Sequence, residues 1–539
     1  MKGKLAFLSI LFLFPGFLLL AQEDPDLPVL VLPTIELEIE DLSVEHIEAD
    51  LPDEAVLVPA EGEIFLPEDI DIEVPEPDLS PIVLDSALDL PEINGESAFG
   101  AEAVVGVGNV NALEGRLSFY KLGDTPRYRF DFEHNALDGF SFEEQGQGFS
   151  YREDVLSGEV KFQGEKMESE FSGSFSDLEQ GLQAQGLYYS KINRFIQADL
   201  KITLMPFTSW LFYGQGVFNA SSFSLTGGPL PDFTNLAYPV SELLFQPEIG
   251  AELLLDDWNL GLSLPYGFRF LPGSNGYDLH RFAPRFWVTY QSPGWVNLSA
   301  SVGYFLNHRL DMLVPFEFSI GGSPVTDFSF RLWGGLENQP IDFNKLWKDE
   351  SLSYAEIDLK DNKRWNGNLM AQFDFSRALR LAVTAGLAFN SSFYRLSEMQ
   401  DSQTGLLNYQ LFENTFDVKS DVALRMKLND VVSVNLLTDL LFLFTEPLFV
   451  DANVSGEIIA ADPKGFWSIE SSLELSLNQF SIYNLPVWDL SASWRIADNV
   501  IITGSCEDIL FPFLDVPRYS MEPFVAPGIR GVFSAQINF

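Results

Sequence analysis

The sequence predicts an all-β chain: a transmembrane antiparallel β-barrel of about 18–22 strands behind an acidic, Pro-rich, disordered or extended N-terminal arm. Three observations predict it. From about residue 98 onward, segments of roughly ten residues alternate apolar and polar side chains between polar, Gly- or Pro-bearing breaks. Aromatic residues are abundant (48 Phe, 16 Tyr, 10 Trp), and many stand at segment ends. The chain opens on a leader-like stretch and closes on an alternating strand that ends in Phe539.

Met1 to Ala21 carries Lys2 and Lys4, then an apolar run from Leu5 to Leu20 interrupted by Pro15 and Gly16. A positive start, a short apolar stretch and a small closing residue describe a secretory signal peptide, 1–21. A membrane anchor is the other reading, but a spanning helix needs about twenty residues, and this run is shorter. No Cys stands near the expected cut. The single Cys506 has no partner within the chain, so neither a disulfide framework nor a CxxC-type metal site is expected.

Residues 22–97 form the arm. They hold 24 Asp and Glu, no Lys or Arg, and 10 Pro. Charges this dense repel one another, and proline removes ladder donors, so a packed domain is not expected. Two stretches, Leu27 to Leu42 and Glu63 to Pro77, alternate Ile, Leu or Val with acids. The arm therefore reads as a solvated periplasmic tether, with a docking arm or a lumen-filling segment as the alternatives.

Residues 98–539 supply the barrel. Tyr128, Phe130 and Phe132 alternate with Arg127, Arg129, Asp131 and Glu133; Leu369, Ala371, Phe373 and Phe375 face away from Asn368, Gln372 and Asp374. In a soluble sandwich the apolar face would look at a core, whereas in a membrane barrel it looks at lipid. About 440 residues of this texture, with no helical interlude, is long for one soluble β domain. Trp295, Trp333, Trp365, Trp467 and Trp488 are read as interfacial girdle residues. Gly123-Asp124 and Ala497-Asp498 read as tight turns. Gly227 to Tyr238, Leu271 to His280, Leu336 to Arg364, Ser397 to Leu407 and Leu510 to Gly528 read as external loops.

In the final strand Phe533, Ala535, Ile537 and Phe539 share one face. This resembles the C-terminal insertion signal of bacterial outer-membrane barrels. The resemblance implies recognition by barrel-assembly machinery and contact with outer-membrane lipid. The opening stretch Gly100 to Tyr120, with its Gly-x-Gly-Asn element at Gly106 to Asn109, and the following Arg127 to Asn135 resemble the first strands of TonB-dependent-receptor-like barrels, in particular plugless ones. The arm is too short, and too poor in glycine and strand pattern, for the plug domain such receptors carry.

No catalytic constellation is evident. His46, His134, His280 and His308 are scattered outside any metal-ligand spacing, with His134 read as a polar-face residue and His280 as a loop residue. No GxSxG element is present. No enzyme activity, cofactor, metal or nucleic-acid partner is expected. Beyond the leader and the arm stand 54 acidic and 30 basic residues, a bias that favours cations in the lumen. The expected role is passage of solutes across the outer membrane of a didermal bacterium, porin- or receptor-like, with the arm in the periplasm. The alternatives are a structural or assembly barrel whose arm docks a periplasmic or outer-membrane partner, and an energised receptor with a partner-supplied plug or a TonB contact within the arm.

Overall fold

The computed structural model describes residues 98–539 except 141–147, 228–239, 272–278, 292–295, 308–310, 355–358, 402–403, 446–447, 478–485, 514–518 and 522–523. The leader, the arm, His46, His308 and Trp295 lie outside the described residues, as do most of the expected loops at 227–238 and 271–280.

Twenty-two strands form one closed antiparallel barrel, the even number and upper bound of the expected range. The first nine are β1 (Ala98–Gly108), β2 (Leu113–Leu122), β3 (Arg127–Asp138), β4 (Ser150–Gln163), β5 (Met167–Gly181), β6 (Ser190–Phe207), β7 (Trp210–Thr226), β8 (Val240–Leu254) and β9 (Trp258–Phe270). Three interrupted strands follow: β10 (Leu279–Phe282 and Arg285–Gln291), β11 (Val296–Gly303 and Phe305–Asn307) and β12 (Met312–Leu313 and Phe316–Val325). Pro284 and Pro315 stand at two of these breaks, where a residue without an N–H cannot continue the ladder. Their carbonyls instead accept from Tyr304 and Gly303. The remainder are β13 (Phe328–Gln339), β14 (Asn362–Ser376), β15 (Leu379–Gln400), β16 (Leu407–Lys427), β17 (Val432–Phe444), β18 (Phe449–Ala461), β19 (Trp467–Leu477), β20 (Val487–Ala497), β21 (Val500–Glu507) and β22 (Arg530–Asn538).

Each strand pairs with the next, and β22 closes on β1 in a register running from Glu102↔Asn538 to Gly108↔Val532. The Gly-x-Gly-Asn element sits at this seam. A Cβ on Gly108 would lie 2.1 Å from the Gly531 carbonyl oxygen, so only glycine fits there. The Asn109 side chain accepts from Gly531 N (2.6 Å) and donates to the Ile529 carbonyl (3.0 Å), satisfying backbone where the ladder ends.

The outer face is apolar. Along β14 it runs from Trp365 through Leu369 and Phe373 to Phe375. Ten residues at about 3.3 Å each, tilted by about 40°, span about 25 Å, the height of a barrel's lipid band. Trp365 and Trp488 mark one edge of the band, and Trp210, Trp258 and Trp467 the other. Beyond the first edge the outer face turns polar, with His134, Asp154, Asp177 and Arg194 consecutive in register across β3–β6. His134 therefore sits on the outer face rather than with Arg129 and Asp131, and it meets Asp154 at 2.6 Å. His280 lies in β10, not in a loop, bonded to the Tyr266 hydroxyl. Trp333 is no girdle residue: it shares the face of Arg331 and looks into the lumen.

At one end every connection is short, 123–126 and 498–499 among them, and the long ones all lie at the other. The stretch at 336–364 is not a free external loop. Its first residues extend β13, its last begin β14, and between them a helix, α1 (Phe343–Asp349), packs into the lumen. Asp342 caps α1 by accepting from Lys345 N at 2.8 Å. Phe343, Leu346 and Trp347, spaced i, i+3 and i+4, form its buried face. They enter a cluster with Phe195, Phe223, Leu225, Leu396, Leu407 and Tyr409 from the lumenal walls. Trp347 is wholly buried, edge-on to Phe223 at 5.2 Å and stacked on Phe343 at 5.3 Å. Replacing Trp347 by Ala removes the centre of this cluster, a loss of about 3–5 kcal/mol for a buried aromatic. The loop should then become cleavable by protease between residues 340 and 361, while the barrel keeps its heat-modifiable migration in gels.

Candidate functional site

The loop-end mouth of the lumen is the candidate site. Strands ten apart lie on opposite sides of a 22-strand barrel, and here their connections meet. A Cβ on Gly186, after β5, would lie 2.5 Å from the Thr404 backbone, after β15. The Gln183 side chain accepts from Val525 N (2.8 Å) and donates to Val525 O (2.9 Å), tying in the connection before β22. Beneath them Ser353-Tyr354 pairs in parallel with Leu407-Asn408, so the inward loop reaches the β16 wall. The mouth is bridged by the chain's own connections.

A loop that leaves the ladder inside a barrel must still satisfy its backbone. Polar side chains on four strands do this, and Arg281 on a fifth holds the loop through a side chain. On β6, Lys191 donates to the carbonyls of Ser351 (2.7 Å) and Ser353 (2.6 Å), and Asn193 donates to Ser351 O (3.0 Å). On β8, Glu242 accepts from Asn344 N at 2.9 Å. It also accepts from Arg269 Nε on β9, and each of these two side chains is 1% exposed. The Arg269 guanidinium lies 5.2 Å from the Phe343 ring. On β10, Arg281 forks onto Asp361, and on β16 the Tyr409 hydroxyl donates to Leu346 O at 2.8 Å. Buried charges of this kind add little net stability to a fold, but removing one partner strands the other, so they fix where the loop sits.

Glu350 ends α1 and lines a cavity of about 390 Å³ against β15–β19. Burial pushes its carboxyl from the ordinary 4.5 up to about 7; Asp349 adds to the rise, Arg395 opposes it and Asp451 adds again. Lys419 and Asp439 face the same cavity.

Below the mouth the lumenal wall is uneven. From β16 to β19 it is acidic: Asp421 faces Asp439 across two strands, and Glu457, Glu470 and Glu474 follow. From β7 to β14 a groove carries Tyr213, Trp287 and Trp333 among paired charges. Among the described residues no group of three His, Cys, Asp or Glu is arranged to hold a metal.

The terminal residues Phe533, Ala535 and Ile537 lie on one face of β22, with Phe533 57% and Phe539 74% exposed on the outside. They do not approach the mouth. None of the residues that hold the inward loop was singled out from the sequence. The apolar ones carried a signal, a break in alternation, since Phe195, Phe223 and Leu225 are apolar residues on faces otherwise polar.

No protein-family model matches the chain, and no curated protein does. Several solved structures share its fold. The copper transporter OprC matches at 11% identity over 84% of this chain and 82% of its own, with a TM-score of 0.61. The siderophore receptor PirA from Pseudomonas aeruginosa matches at 10% identity over 82% and 80%, with a TM-score of 0.58. The FrpB iron transporter from Neisseria meningitidis matches at 8% identity over 83% of each chain, with a TM-score of 0.61. At such identities the likeness is one of fold, and at that level the barrel resembles those of TonB-dependent receptors.

Proposed function

We propose that the protein is an outer-membrane channel whose lumen passes solutes and whose inward loop at 340–361 opens and closes the way. The observation that carries this reading is the latch. This loop is held by apolar packing around Trp347 and, beyond what filling space requires, is pinned by Lys191, Glu242, Arg269 and Arg281. The neighbours in fold are named as transporters and receptors, which supports transport across the outer membrane. The acidic wall on β16–β19 supports a preference for cations. The arm, by this reading, stands in the periplasm and serves a partner or a tether, and Phe539 completes the signal for insertion.

Planar-bilayer conductance tests the channel. The wild-type protein should show small, infrequent, cation-biased steps. Glu242→Gln leaves Arg269 buried without its partner, a loss of about 3–5 kcal/mol from the docked loop, and should give larger and longer openings. Equal conductance in both proteins would remove the loop from the gate, and silence in both would remove the channel.

The loop should also respond to pH. Glu350 binds its proton more tightly when docked, because its docked pKa is raised to about 7 from 4.5. Docking is therefore fully favoured below about pH 4.5 and weakens as the pH rises through 7. Open probability should rise across that window in the wild type, and the rise should flatten in Glu350→Gln.

Deleting Phe539 should lower the yield of heat-modifiable barrel in outer membranes without changing conductance of the molecules that do insert. Normal yield would mean that the terminal aromatic carries no assembly role.

A further inference from the structure

We propose that the groove on the β7–β14 wall binds a saccharide, a short chain of neutral sugar units. The proposal rests on the solute-passage reading and names the class of solute.

Two rings lie flat on this wall because glycines make room for them. Tyr213 covers Gly250 and Trp287 covers Gly261; a Cβ at either glycine would stand 2.3 or 2.1 Å from ring atoms. Each ring thus spends one face on the wall and turns the other to a cavity of about 340 Å³. The cavity continues, through Ser263, Arg285, Ser301 and Glu317, into a second of about 620 Å³ that reaches Trp333, Asn366 and Asn368.

Four of the five charges along the groove are paired with one another. Arg285 bonds Glu317 at 2.9 Å and Ser301 Oγ at 2.9 Å, and Arg364 stands 3.6 Å from Glu337. Glu248 accepts from the Tyr213 hydroxyl (3.0 Å) and from Gln215 (2.8 Å). An ionic solute such as a metal chelate would have to displace these partners. What is left for a ligand is aromatic surface with a rim of Ser and Asn groups that both donate and accept. A pyranose has the matching form, with an apolar C–H face for the rings and hydroxyls around its edge that donate and accept in turn. A purely aromatic solute would use the rings and leave the rim unpaired.

The test is titration calorimetry on purified full-length protein in detergent, with maltopentaose, cellopentaose and, for comparison, tryptophan. At least one pentasaccharide should bind saturably. Trp287→Ala should weaken that binding by about tenfold, the scale of one lost stacking partner, and Trp287→Phe should restore most of it. Asn368→Ala, which touches no ring, should weaken it too, and heat-modifiable migration reports folding of each variant. No saccharide binding by folded protein, binding of tryptophan alone, or binding indifferent to both alanine variants would overturn the proposal, whatever the conductance. Saccharide binding by a protein that never conducts would support the groove while removing the passage reading.

Discussion

Backbone polar groups with no water to bond must bond to each other, and the structure follows from that. Within a lipid band of about 25 Å an open sheet edge is untenable, so β22 has to return to β1. The seam is where the demand is hardest to meet, because the ladder ends there on both sides. Gly108 lets the two backbones come within contact, and Asn109 supplies a donor and an acceptor for the groups left over. The same demand governs the connection that turns inward between β13 and β14. Within it the carbonyls of Ile341, Leu346, Ser351 and Ser353 and the amide of Asn344 are met by side chains of the wall, and this is why Lys191, Glu242 and Arg269 are buried where apolar residues would otherwise pack.

Most of the barrel was legible because a strand's side chains repeat every two residues, and lipid on one side with a polar lumen on the other makes that repeat visible. Parity also corrects two readings, of Trp333 and His134, that rest on position and residue type. Trp365 falls on the face of Leu369 and is a girdle residue; Trp333 falls on the face of Arg331 and is not. His134, too, has the parity of Phe130 and Phe132, and lies outward with them. The helix was not legible to a reading tuned to period two. Its own signs were present in Asp342 as a cap and in Phe343, Leu346 and Trp347 at helical spacing, but seven residues do not outweigh their surroundings. The latch was harder still. Lys191 and Glu242 look like ordinary lumenal charges in one dimension, and only closure brings β6, β8 and β16 around the same loop.

The wall divides its labour by charge. From β16 to β19 carboxylates face one another with few cations between them, so the field there is negative. From β7 to β14 Arg285 and Arg364 stand beside Glu317 and Glu337, Glu248 is met by neutral donors, and the groove between them is polar and aromatic surface. One lumen thus presents two chemistries side by side.

The groove and the latch are joined through strands they share. Asn338 lines the groove and donates to Asp361 at 3.4 Å, and Asp361 is the carboxylate on which Arg281 forks. Gln339 and Asn362, the roots of the inward loop, stand next to it in the β13–β14 ladder. A solute resting against Asn338 therefore touches the first residue of the chain of bonds that holds the loop down. Whether such contact opens the mouth depends only on how differently the solute binds the docked and released forms, since a ligand with equal affinity for both shifts neither.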